Sequence, residues 1–205
     1  MATPHAPHLP TAAALAAAAL GFGACAAWLV GEGQRLGGQA GRAEQAVGAA
    51  SLALALLSSA SSARWCLARS PFALRPRLGL GAYVGVLAAA FALGLTGAHL
   101  WSGQDRPALG AFAALLSGVA LLFGFSLVPW LLVDERGVLD ALGRRLPPST
   151  LSRFSLQPVP GEPPRHQLRL WTRDEEAPLA LVLVEVDAAA LSGRLVQLGV
   201  PPASR

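Results

Sequence analysis

Charge is scarce in this chain. Of 205 residues, 14% are Asp, Glu, Lys or Arg against 53% hydrophobic, a charged share about half of what soluble globular domains carry. That excludes a protein whose only solvent is water. Lysine is missing altogether, so all sixteen basic residues are arginine; the usage fits a GC-rich, bacterial genome and implies no mechanism. The formal charge of +4 is unevenly spread, with seven Arg against three acids in residues 1–133 and nine of each in 134–205. The tail is therefore neutral. No basic stripe marks a soluble face, and nucleic acid is not expected as a partner. Cysteine is nearly absent: Cys25 and Cys66 sit in or beside different apolar segments, without the CxxC or Cys/His spacing of a structural metal. They read as small apolar side chains.

What the chain has in quantity is uncharged apolar length. Thr11 to Gly31, Gln45 to Ala63, Leu78 to Gln104 and Pro107 to Val133 contain no Asp, Glu, Lys or Arg, and each reaches the roughly 18 residues that cross a hydrocarbon core as a helix. The second is diluted by Ser51, Ser58, Ser59, Ser61 and Ser62 but remains uncharged. Four transmembrane helices are predicted, with membrane lipid as their solvent. Trp28, Trp65, Trp101 and Trp130 fall at the C-terminal ends of the four segments in order, where amphipathic rings prefer the headgroup level. The first segment is read as a retained helix: no Lys or Arg precedes it, and a signal peptide has a positive start.

Arginine distribution sets the orientation. The loop between the second and third segments carries Arg64, Arg69, Arg75 and Arg77 without an acid, so it is expected on the cytoplasmic side. The other loops are balanced, Arg35 and Arg42 against Glu32 and Glu44, and Arg106 against Asp105. With four spans both termini are then cytoplasmic, and the localisation expected is multi-pass in a bacterial inner membrane.

Chemistry-bearing constellations are lacking. No helix core contains an ionisable group, the usual mark of an intramembrane functional site; His99 lies two residues before Trp101, at interfacial depth. His5, His8 and His166 have no metal-ligand spacing, and the glycines at 33, 37, 38 and 41 fit no phosphate-loop pattern. No catalytic residue, cofactor or metal is predicted. Small residues give the one positive signal in the helices. Gly81-x-x-x-Gly85 with Ala89 in the next turn forms a small-xxx-small stripe on helix three, of the kind that lets helix backbones approach closely in lipid. It serves either the bundle itself or a protein partner or second copy.

The tail, 134–205, follows a different rule. Leu151 to Gln157 and Leu168 to Arg173 alternate apolar and polar residues, and Leu179 to Val186 is a continuous apolar run, as expected of half-buried and buried strands. Asp187 caps a predicted helix through Leu198, with Gly199 and Pro201 as stop signals. Together these give a small cytoplasmic α+β domain behind a four-helix transmembrane domain, 1–133. The run Asp134-Glu135-Arg136-Gly137-Val138, then Arg145-Leu146-Pro147-Pro148-Ser149-Thr150-Leu151 with Phe154, resembles the small pleckstrin-homology-like domains that follow transmembrane helices in bacterial membrane proteins. The resemblance covers about a third of the chain and implies a scaffolding or regulatory habit without a substrate. The function expected is a non-enzymatic scaffold or accessory subunit of a membrane complex, with the tail as a protein- or lipid-surface-binding module. A small transporter or channel component working as an oligomer is the alternative.

Overall fold

The computed structural model describes residues 9–68, 72–76, 78–140, 144–160, 165–173, 178–184 and 187–203, with backbone alone for 180–184. Four of its helices are long and apolar enough to cross a membrane: α1 Leu9–Leu36, α2 Gly38–Leu67, α3 Leu80–Ser102 and α4 Pro107–Gly124. Gly37 and Gly38, both at positive φ (62° and 58°), turn α1 straight back into α2, a conformation open to glycine at little cost.

α1 packs antiparallel against α2 and α3 against α4, and α1 also lies against α4. A side chain added at Gly33 would meet the carbonyl oxygen of Gly41, and one at Gly48 would meet Leu29 and Val30, so α1 and α2 touch backbone to backbone where glycines face each other. Gly97 of α3 stands equally close to the Gly110 carbonyl of α4. Phe22 of α1 meets Phe112 of α4 edge to face, with ring centroids 6.0 Å apart. In lipid, such close approach supplies the dispersion contact that the hydrophobic effect does not.

The fourth helix is shorter than its apolar run. It stops at Gly124, about 27 Å of helix, and the remainder to Val133 is not helical. Ser126 takes a positive φ of 54°, rare for a residue with a Cβ, while its hydroxyl donates to the Pro76 carbonyl at 2.9 Å. Leu131–Asp134 then forms a strand.

That strand belongs to the second compact unit, which takes in Leu67–Gly79 as well as the chain from Ser126 onward. The domain boundary expected after Val133 therefore falls inside a strand. β1 Phe72–Leu74, β2 Leu131–Asp134, β3 Gly137–Asp140 and β4 Arg145–Leu146 make an antiparallel sheet in that order. Its β1 comes from the link between α2 and α3. β5 Leu151–Val159, β6 Arg165–Thr172 and β7 Leu179–Val184 make a second antiparallel sheet, followed by α5 Ala188–Gln197, whose first turn is capped by the Asp187 carboxylate accepting from Ala190 N–H at 2.9 Å. Leu74, Val133 and Val138 of the first sheet, Phe154, Leu168 and Leu170 of the second, and Leu191 and Leu195 of α5 share one buried core. The β2–β3 turn is fixed by Asp134, which accepts from Arg136 N–H and from Arg145 at 2.8 to 2.9 Å.

Candidate functional site

The feature with the makings of a binding site lies on the second sheet and was not singled out from the sequence. Strict alternation from Leu151 would put Arg153 on the buried face. A register shift between Leu151 and Arg153 prevents this: Leu151 and Phe154 are both buried, and the Ser152 hydroxyl donates to the Trp171 carbonyl at 3.2 Å. Bulges of this kind re-aim a side chain. Beyond it, Arg153 is opposite Trp171, Ser155 opposite Arg169 and Gln157 opposite Gln167, all on the face away from Phe154, Leu168 and Leu170. The Arg153 guanidinium lies 4.9 Å from the centre of the Trp171 ring, a cation–π distance. Arg153, Ser155, Gln157, Arg169 and Trp171, together with Phe154, Leu156 and Pro158 of β5, line an open groove of ≈ 640 Å³ that reaches the first turns of α5 at Ala188 and Ser192. Two arginines and His166 line it, and no Asp or Glu does among the described residues.

Within the helices the structure makes two polar arrangements that the sequence did not show. Two of the α2 serines bond to α1. Ser51 donates to the Phe22 carbonyl and Ser62 to the Ala12 carbonyl, both at 2.8 Å, and Ser117 of α4 donates to Ala90 of α3 at 2.8 Å. Each ties neighbouring helices together. Glu44, expected to balance Arg42 in a loop, lies inside α2 at 1% exposure and pairs with Arg106 at 2.5 Å. Its other oxygen has no hydrogen-bond partner among the described residues. Arg106 in turn pairs with Glu44 rather than with its neighbour Asp105. Linear loop counting misses both because the α1–α2 and α3–α4 turns meet at the same end of the antiparallel bundle.

The remaining predicted residues scatter. Among the described residues nothing lies within 4 Å of a side chain added at Gly81 or Gly85, and Ala89 is exposed, so the stripe packs against none of them; the close approaches fall at Gly33, Gly97 and Gly124 instead. Trp28 and Trp101 are exposed and meet edge to face at 5.7 Å, at one end of the bundle. Trp65 is fully buried, so it is no exposed belt residue. Trp130 lies past the end of α4 and packs against the strand unit's core. Arg64 and Arg75 are exposed, whereas Arg69 and Arg77 lie outside the described residues. No protein-family model, curated protein or solved structure matches the chain.

Proposed function

We propose that the chain is a non-enzymatic scaffold or accessory subunit of a complex in a bacterial inner membrane, both termini cytoplasmic, its tail a pleckstrin-homology-like module that binds a protein or lipid surface. The observation that carries this reading is the outer face of α3. Leu80, Val84, Leu87, Phe91 and Leu95 are exposed, and between them Gly81 and Gly85 leave backbone bare. Lipid accepts such a face, yet bare backbone gains most when another helix covers it. The tail supports the reading differently: its sheet borrows β1 from the α2–α3 link, so the unit that would bind a partner is joined through the chain to α2 and α3 as well as to α4. The alternative, a transporter or channel component working as an oligomer, wants polar side chains around a common interior. Ser51, Ser62 and Ser117 instead donate to carbonyls of adjacent helices.

The test is the size of the particle in mild detergent. An assembly larger than the monomer, containing a second copy or a stoichiometric protein, should be lost in Gly85→Ile while the monomer melts as the parent does. A monomeric parent that moves solute in proteoliposomes would replace this reading with the alternative.

A further inference from the structure

We infer that the groove on the second sheet is a binding site for a phosphate-type oxyanion, held by Arg153 and Arg169 beside Trp171. The inference rests on the reading of the tail as a surface-binding module and names what the surface recognises.

The two arginines are placed by the strand register. Arg153 is opposite Trp171 and Arg169 opposite Ser155, which makes the arginines diagonal neighbours on one face, their Cβ atoms about 7 Å apart. From that separation two long side chains can reach one tetrahedral anion. Neither forms an ion pair with a carboxylate among the described residues. Two like charges left side by side are unfavourable in an apo sheet, and a solvated face is satisfied equally well by Gln, Ser or Thr. An anion turns that cost into attraction.

Each guanidinium is also pre-arranged. Arg153 lies over the Trp171 ring, which engages the face of the guanidinium and leaves its in-plane N–H donors free. Arg169 gives one N–H to the Gln167 side chain at 2.9 Å, which fixes its plane and leaves the rest of its donors. Arginine forks match phosphate oxygens two at a time. Ser155 and Gln157 add neutral polar groups to the same lining, and the nearest acid in sequence to the α5 side of the groove, Asp187, is engaged in capping Ala190. The volume of ≈ 640 Å³ exceeds what a bare phosphate needs and lies within the roughly 300–1,000 Å³ of small-molecule pockets. The groove thus leaves room beside a phosphate for the rest of a larger molecule, either a membrane phospholipid headgroup or a soluble phosphate compound.

The experiment uses the full chain in nanodiscs and follows hydrogen exchange of β5 and β6. Two arms separate the sources: nanodiscs of phosphatidylcholine with or without phosphatidylglycerol, and phosphatidylcholine nanodiscs with added pyrophosphate. Protection of residues 153–157 and 167–171 by phosphatidylglycerol alone assigns the bilayer, and protection by pyrophosphate assigns a soluble phosphate; either supports the site. In both cases Arg153→Gln or Arg169→Gln should weaken the effect tenfold or more, Arg153→Lys should restore part of it, and Arg173→Gln, outside the groove, should leave it intact. All variants should melt as the parent does and retain the particle size that Gly85→Ile alters, so failure here is distinguishable from failure of the scaffold reading. Absence of protection in both arms overturns the proposal, as does protection that survives in the Arg153→Gln/Arg169→Gln double variant.

Discussion

Phe72, in the link between α2 and α3, is the antiparallel partner of Val133, in the strand that follows α4. One sheet cannot be divided by a bilayer, so the α2–α3 link and the tail share a side of any membrane the helices span. Single cysteines at Arg75 and Glu135, introduced with Cys25→Ala and Cys66→Ser, should respond alike to a membrane-impermeant thiol reagent, and one at Gln104 should respond oppositely. The arginine-rich link further leads us to expect the first two to be shielded in intact cells. Opposite labelling of the cysteines at 75 and 135 would contradict the sheet itself.

The same ladder makes Leu74 a core residue of the tail despite lying in a loop between two spans. It is 3% exposed and packs in the cluster with Val133, Phe154 and Leu191. Leu74→Ala should destabilise the strand unit by roughly 2–4 kcal/mol, as buried Leu truncations do. Hydrogen exchange at Leu168 and Leu170 should report the loss. Leu87→Ala, on the exposed face of α3, should leave those amides unchanged.

Close helix contact is predicted to be a property of Gly33 rather than of Gly81. An added side chain at Gly33 meets the backbone of Gly41, which cannot rotate away, whereas one at Gly81 meets none of the described residues. Gly33→Val should therefore lower the melting temperature of the detergent-solubilised monomer by several degrees, and Gly81→Val should not. Equal effects at the two positions would mean that α1 and α2 do not cross there.

Sequence pattern made the helices and the later strands legible because each carries its own period. The uncharged runs predicted α1 to α4, and Asp187 with the leucines at 191 and 195 predicted α5. What escaped had no local signal. The apolar run from Pro107 to Val133 does not announce that helix gives way to strand near Ser126, since Val, Leu and Phe suit both. β1 is three residues long and exists only because β2 lies beside it. The groove was hidden for a related reason: a single extra residue at Ser152 reverses which side chains face outward, and Arg153 meets Trp171 only once that register is known. The Gly81–Gly85–Ala89 stripe was legible as a pattern, but a pattern does not say which surface it faces.

The pair of Glu44 and Arg106 gives the sharpest test of the bundle, because its two members are buried unequally. Glu44 is 1% exposed and the Arg106 side chain 27%. Removing the cation strands a carboxylate where water does not reach, and leaving one buried charge unpaired costs more than the pair itself contributes. Removing the carboxylate leaves an arginine that can turn its head toward water. Arg106→Gln should therefore destabilise the bundle by about 3 kcal/mol, and Glu44→Gln by about 1 kcal/mol, the scale of an ordinary hydrogen bond. The double variant, with two neutral amides, should be more stable than Arg106→Gln alone. Denaturation in mixed micelles, carried through all four members of the cycle, measures the coupling directly. If the two single effects are equal and simply add, Arg106 does not compensate the Glu44 charge, and α2 is not tied to the start of α4 by this contact.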